Sequence, residues 1–194
     1  YMTVKTTSKV FGIDDIKIYP ITEDTETAYT VGDAIDIPGA KNLSIDLEIE
    51  EKDLTGDNIV LDVYSNIKKA TFNVGFAKLS LELLKAALGG RLVSSGSTPS
   101  GKQVFSLQSG DKPSYFQLAA QVTNIDEGSL RINIMKCRIS AAPLSAVEND
   151  FATYSLSGSA VFTSKKFIRS GISAPLLFDI SIDETETAPA AINS

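Results

Sequence analysis

The stretch from Asn42 to Glu51 reads N-L-S-I-D-L-E-I-E-E and alternates strictly between polar and apolar residues. In an extended chain such alternation places all apolar side chains on one side and all polar ones on the other. This pattern is typical of a strand that buries one face in a core and leaves the other in water. We therefore expect an antiparallel sheet whose core face carries four residues of this stretch: Leu43, Ile45, Leu47 and Ile49.

Similar alternation recurs along most of the chain, between clusters of Gly, Pro, Asp and Asn that favour turns. It predicts further strands at Ile13–Tyr19, Ile59–Tyr64, Lys69–Lys78, Gln103–Leu107, Tyr115–Thr123, Leu130–Ser140, Thr153–Thr163 and Leu176–Ile182.

One segment, at about residues 80–88, predicts a short helix instead. Ser80 suits the N-cap, Gly89 suits the position just past the last turn, and leucines lie on one stripe. The chain is therefore expected to form one β-sandwich or barrel-like domain over residues 1–182, with an N-terminal arm at 1–12. The polar segment 183–194 is expected to be a flexible tail.

Composition limits the possible functions. The 194 residues include 18 Lys plus Arg, 24 Asp plus Glu, one Cys and no His, which gives a net charge of −6. This charge argues against a broad phosphate-binding surface. The absence of His excludes Ser-His or Cys-His nucleophile systems and His-ligated zinc. No apolar run is long enough for a membrane span, and residues 1–9 contain no signal-peptide core, so we expect a soluble protein without membrane contact.

Three short motifs have weak chemical resemblances. Residues 96–102 match the first seven positions of a phosphate-binding loop, but Gln103 follows where Ser or Thr is needed, and a strand is predicted there instead of a helix. Ser65 and Lys68 have the S-x-x-K spacing of serine acylases but join two predicted strands, so a polar turn is expected. Cys137 is expected to be a buried thiol. We predict no catalytic, metal-binding or cofactor-binding residues and no cofactor.

The polar side of the 42–51 stretch carries a regular row of three carboxylates, Asp46, Glu48 and Glu50. Neighbours in the row lie about 7 Å apart along one strand face. The row is either the solvated outer face of an ordinary sheet or a wall that is negative for a functional reason. The residues alone leave both interpretations open.

Three longer runs carry a family resemblance. Residues 55–90 read T-G-D-N-I-V-L-D-V-Y-S-N-I-K-K-A-T-F-N-V-G-F-A-K-L-S-L-E-L-L-K-A-A-L-G-G, residues 136–145 read K-C-R-I-S-A-A-P-L-S, and residues 150–160 read D-F-A-T-Y-S-L-S-G-S-A. In order and spacing they resemble the major tail tube proteins of tailed bacteriophages, in which an acidic Gly-Asp turn leads into a strand pair and a leucine-rich helix. The resemblance spans roughly residues 40–182.

The resemblance implies a structural virion protein and not an enzyme. Subunits of that family form homo-hexameric rings in which each copy gives strands to one inner β-barrel. Rings stack into a tube that DNA traverses without specific binding. The implied partners are further copies and other tail proteins (tape measure, tail terminator and distal tail), with assembly in the host cytoplasm. The row Asp46, Glu48 and Glu50 would then line the lumen.

The segment between the two strands of the first pair is polar, and the family uses such segments between rings. The candidate inter-ring contacts are Lys52, Asp53, Leu54, Thr55, Gly56, Asp57 and Asn58.

Several other classes remain open. They are a head-decoration or fibre domain, a tube protein of a contractile tail or type VI secretion system, a carbohydrate- or lipid-binding β domain, and a hydrolase using paired carboxylates.

Overall fold

The computed structural model describes residues 10–56, 59–124, 128–144, 152–183, 185 and 188–193. Within them the chain forms mainly β-strands, together with helix α1 (Leu81–Leu88). The strands are β1 (Val10–Asp24), β2 (Tyr29–Val31), β3 (Ile35–Asp36), β4 (Ala40–Gly56), β5 (Ile59–Phe76), β6 (Arg91–Ser95), β7 (Lys102–Ser106), β8 (Phe116–Asn124), β9 (Ser129–Ala141), β10 (Tyr154–Val161), β11 (Lys166–Arg169), β12 (Ile172–Pro175) and β13 (Phe178–Asp183). The predicted mainly β, antiparallel fold is confirmed.

The main sheet has the order β2-β1-β8-β9-β10-β5-β4, and every pairing in it is antiparallel. Strand β9 lies at its centre, with β8 along one side. Two strands share its other side, because β13 pairs with residues 129–134 and β10 with residues 136–141. The hairpins β6–β7 and β11–β12 form separate two-stranded sheets.

The core lies on one face of this curved sheet. Ile16 and Ile18 of β1, Phe72 and Val74 of β5, and Ile134 of β9 are all buried there. Helix α1 closes the core with Leu83 and Ala87. Its start is fixed by the Ser80 hydroxyl, which accepts a hydrogen bond from the Leu83 N–H at 3.3 Å, and Gly89 ends it at φ +76°. The helix predicted at 80–88 is therefore present.

A smaller cluster lies on the opposite face of β9 and consists of Tyr29, Met135 and Phe167. The Tyr29 hydroxyl donates to the Met135 carbonyl at 2.5 Å, and burial raises the pKa of this phenol far above its usual range. The Phe167 ring meets Tyr29 edge-on, with centroids 5.6 Å apart. This cluster packs β2 and the β11–β12 hairpin against β9.

Part of the C-terminal segment lies against the same face. The Tyr19 hydroxyl donates to the Pro189 carbonyl at 3.0 Å, and the Ile192 N–H donates to the Gln117 side-chain oxygen at 3.3 Å. Ile192 also packs on the small cluster. The expected division into a 1–182 domain and a flexible 183–194 tail stays a prediction. Residues 1–9 of the expected N-terminal arm lie outside the described residues.

The structure corrects one strand assignment. Ile59–Tyr64 and Lys69–Lys78 were expected to be separate strands joined by a polar turn, but they belong to the single strand β5. The register against β4 shifts between the pairs Glu48–Lys69 and Ile49–Ile67, so Lys68 is the extra residue of a β-bulge. The polar residues between the expected strands lie on exposed strand and need no turn.

Candidate inter-subunit surface

The β4–β5 hairpin extends well beyond the rest of the sheet. Strand β10 pairs with β5 only from Ala70 to Phe76. Beyond that point, residues 47–56 and 59–69 form a two-stranded ribbon with no further strand beside it among the described residues. We call this segment the ribbon. At about 3.3 Å per residue it is about 35 Å long.

Polar and apolar residues continue to alternate along the ribbon, but the hydrophobic core does not extend to it. Leu43 and Ile45 pack against the core cluster, whereas Leu47 is exposed and Ile49 is 52% exposed. The expectation that Leu47 and Ile49 are buried within this chain is therefore wrong. The reason is that the neighbouring strand β10 ends at Val161, level with the start of the ribbon, and the core cluster contains no residue of the ribbon.

One face of the ribbon combines these apolar side chains with acids, and we call it the acidic–apolar face. Direct cross-strand partners share a face, so the pairs Ile49–Ile67 and Asp53–Val63 place an isoleucine pair and an acid–valine pair on it. Glu51 lies between them, opposite Ser65. Neither Glu51 nor Asp53 forms an ion pair within the described residues. The face is thus apolar near the domain and negative near the tip.

The other face of the ribbon carries the row predicted from the sequence, and we call it the carboxylate face. The Glu48 carboxylate lies 3.1 Å from the Lys69 ammonium, and that of Glu50 lies 2.7 Å from Lys68 and 3.9 Å from Lys52. The hydrogen bond from Lys68 to Glu50 raises the pKa of this lysine. Asp46 faces Thr71 and is exposed. Lysines thus offset the charges of two of the three carboxylates in the row. The assignment of this row to a channel lumen stays a prediction.

Along the ribbon, the outer edge of β4 is also unpaired in the described part of the chain. Along a two-stranded antiparallel pair, alternate N–H and C=O groups of each strand point away from the partner. Strand β4 pairs only with β5 in the described part of the chain, so the ribbon presents backbone donors and acceptors at this edge. An edge this long is a template on which another chain can add a strand.

The described candidate inter-ring residues, 52–56, lie at the far end of the ribbon. Lys52, Asp53, Leu54 and Thr55 are exposed, and Leu54 faces Asp62 across the hairpin. Tyr64, opposite Lys52, is 66% exposed. Asp57 and Asn58 lie outside the described residues, and inter-ring contact by any of these residues stays a prediction.

A second exposed surface was missed by the sequence reasoning. Strands β6 and β7 pair Val93 with Val104, and the valine pair is flanked by Arg91 at one end and Lys102 at the other. All four side chains are exposed on one face, which we call the basic–apolar face. The alternation in R-L-V-S-S and K-Q-V-F-S, on either side of a Gly-Ser-Thr-Pro loop, could have revealed this hairpin.

The remaining motifs show no chemical site. Residues 96–102 join β6 to β7, so the loop lies between strands and lacks the helix that phosphate binding requires. Ser65 and Lys68 lie on the continuous strand β5. Cys137 is fully buried, as expected, and burial raises the pKa of its thiol. The described residues contain no cluster of three metal-ligating side chains and no helix long and apolar enough to cross a membrane.

Some solved structures of gene transfer agent particles contain chains that resemble this one weakly. No family model and no curated protein matches this chain. Among solved structures, a chain of the virion of a native gene transfer agent particle is similar at 13% identity with a TM-score of 0.35, covering 81% of this chain and 95% of that one. A chain of the tail of an empty gene transfer agent particle, with C6 symmetry, is similar at 15% identity with a TM-score of 0.34, covering 74% and 89%. Both TM-scores are below 0.5, so neither likeness assigns a function to this chain.

Proposed function

We propose that this chain is the subunit of a phage-type tail tube, in which six copies form a ring and stacked rings enclose a channel for DNA. The ribbon carries the proposal, because it has an open edge and an apolar face that this chain leaves exposed. An isolated two-stranded hairpin is marginally stable in water, and open edges promote association. A closed ring of copies covers the apolar face and pairs the edges.

The size of such a ring fits a DNA channel. Four strands from each of six copies make a barrel of about 24 strands. At about 4.8 Å spacing and about 40° tilt, its diameter between backbones is about 45 Å. Side chains reduce this bore but leave room for a duplex. A barrel formed by six copies is therefore wide enough for a DNA duplex to pass through.

The carboxylate face is proposed to line the channel. Asp46, Glu48 and Glu50 make it hydrophilic, and the lysine partners of Glu48 and Glu50 are held in ion pairs. Cations engaged in this way are less free to bind phosphate, whereas the Asp46 charge repels it. A lining of this kind lets DNA slide without binding it.

The tip of the ribbon, from Lys52 to Asn58, is proposed to contact the neighbouring ring. The proposal further places the chain in the virion, with other tail proteins at the tube ends, assembly in the host cytoplasm, and neither a cofactor nor an enzymatic step. It leaves open whether the tail is contractile.

Electron microscopy of the purified protein tests the proposal. Negatively stained samples over a range of concentrations are expected to contain hollow tubes with sixfold end views. A protein that stays monomeric at all concentrations, or forms solid fibres or trimers, is no tube subunit. Those outcomes would favour a decoration or fibre domain instead.

A further inference from the structure

We infer that the acidic–apolar face of the ribbon docks on the basic–apolar face of the β6–β7 hairpin of a second copy. This inference rests on the proposed function, because it names the surface that receives the ribbon. Two observations carry it: both faces expose aliphatic side chains in the single chain, and their uncompensated charges are opposite in sign.

The ribbon contributes acids and no cation to this contact. Glu51 and Asp53 follow Leu47 and Ile49 along one side of β4, and Val63 stands opposite Asp53. The cations of the ribbon serve the other face, where Lys68 and Lys69 are paired with Glu50 and Glu48. The acidic–apolar face therefore keeps its two negative charges unmatched within the described residues.

The β6–β7 hairpin contributes cations and no acid. Val93 is 61% exposed, and its cross-strand partner Val104 is exposed beside it. Arg91 donates to the neutral side-chain oxygen of Gln108, so its charge is not compensated by that contact. Lys102, at the other end of the valine pair, forms no ion pair within the described residues. The two faces are thus complementary in composition: one carries two cations with aliphatic side chains, and the other carries two acids with aliphatic side chains.

The other exposed hairpin is a poorer match. Strands β11 and β12 expose Ile168 and Ile172, but Arg169 is already held by the Asp179 carboxylate at 2.7 and 3.0 Å. A partner acid would have to displace Asp179 from this guanidinium. Lys166, the other exposed cation of this hairpin, forms no ion pair within the described residues, but it is the single cation on the Ile168 face. The β6–β7 hairpin instead places two such cations on one face with its valine pair.

The two faces are different parts of one chain, so the contact is heterologous and can repeat from copy to copy. Opposite charges favour the correct encounter, and like charges placed face to face oppose it strongly. The contact is therefore suited to joining subunits in series, as a tube requires.

Charge reversal in two complementary variants tests the inference. The ribbon variant carries Glu51→Lys and Asp53→Lys, and the hairpin variant carries Arg91→Glu and Lys102→Glu. A control with Glu26→Lys and Lys166→Glu reverses one charge of each sign at exposed positions outside both faces. Far-UV circular dichroism and thermal unfolding verify that each variant folds. Assembly is followed by sedimentation and electron microscopy, for each variant alone and for an equimolar mixture of the two test variants.

In each test variant alone, every docking contact brings like charges together. We expect the concentration needed for assembly to rise at least about tenfold in both, and to stay unchanged in the control. In the mixture, the positive ribbon of one variant meets the negative hairpin of the other, and the reverse contact is equally matched. The mixture is therefore expected to assemble with both variants in every tube.

The outcomes separate the two proposals. If the unmodified protein forms tubes and both test variants do so equally well, the docking inference is wrong while the tube function stands. If both variants fail alone and their mixture also fails, the contact is not between these two faces. If the unmodified protein forms no assembly at any concentration, the tube function and the docking inference are both wrong.

Discussion

The Asp24 carboxylate accepts a hydrogen bond from the Lys136 ammonium at 2.6 Å and thereby joins the last residue of β1 to the middle of β9. It also accepts from the backbone N–H groups of Ser164 at 2.9 Å and Lys165 at 3.2 Å, in the connection from β10 to β11. The side chain is only 6% exposed. One buried charge therefore holds three segments together, beside the small cluster around Tyr29.

Replacing Asp24 with Asn tests this junction. Burial tends to raise the pKa of Asp24, but the hydrogen bonds from Lys136, Lys165 and Ser164 outweigh it and lower the pKa. A carboxyl with a lowered folded-state pKa stabilises the fold above its unfolded pKa of about 3.9, and this contribution is lost as pH falls through the folded value. Asp24→Asn is expected to lower the free energy of unfolding by about 2–3 kcal/mol at pH 7.

Urea unfolding at several pH values measures both effects. The difference between Asp24→Asn and the unmodified protein is expected to shrink below about pH 4, as Asp24 becomes protonated in the parent. Asp179→Asn is the matched control, because its partner Arg169 is 48% exposed and the pair should contribute about 0–1 kcal/mol. Equal losses in the two variants would show that the buried junction has no special role.

Gly158 of β10 gives a second prediction, on the core. A Cβ at this position would lie 2.2 Å from the Arg138 carbonyl oxygen and 2.7 Å from the Phe72 ring. Neither neighbour is free to move, because one is backbone of β9 and the other is buried. Gly158→Ala is therefore expected to cost about 2–3 kcal/mol of stability, measured by urea unfolding. Gly101→Ala, where the nearest atom lies 3.7 Å away, should change stability by less than about 0.5 kcal/mol.

The sequence predicted the elements whose signals are local. The helix at 80–88 follows from its own cap, since Ser80 bonds to the Leu83 N–H and Gly89 adopts a positive φ. Alternation likewise placed Leu43 and Ile45 on the core face. The same alternation could not show that Leu47 and Ile49 lie beyond the end of β10, because a period of two says which residues share a face but not what covers that face.

The sequence also could not show which residues face each other across the two strands of the ribbon. The contacts of Glu48 with Lys69 and of Glu50 with Lys68 depend on a register that the bulge at Lys68 shifts by one residue. Short strands such as β3, with two residues, carry too little pattern to be recognised and exist because β1 offers them an edge.

Removing the ribbon tests its role in assembly. Glu48 and Lys69 are cross-strand partners, so residues 49–68 can be replaced by Asn-Gly, which favours a two-residue hairpin turn. The described residues among those replaced lie outside the core cluster. The shortened chain is therefore expected to keep its unfolding free energy within about 1 kcal/mol. Light scattering should show a monomer at concentrations where the full chain polymerises. A shortened chain that still forms tubes would exclude the ribbon from assembly.

The last prediction concerns Asp46, the exposed carboxylate of the row that faces Thr71 and not a lysine. If the carboxylate face lines a channel, Asp46→Lys places one added cation per subunit in it, six per ring, where phosphates pass. The exposed position should allow normal folding and tube formation. The tubes are expected to retain short duplex DNA at low salt and to release it as salt rises, with at least about a tenfold loss of affinity between 50 and 200 mM salt. Co-sedimentation of tubes with labelled DNA measures this retention. Glu26→Lys tubes are the control, because they carry the same added charge in an exposed turn away from the ribbon. If Asp46→Lys tubes retain no more DNA than Glu26→Lys tubes at low salt, the carboxylate face does not line the channel.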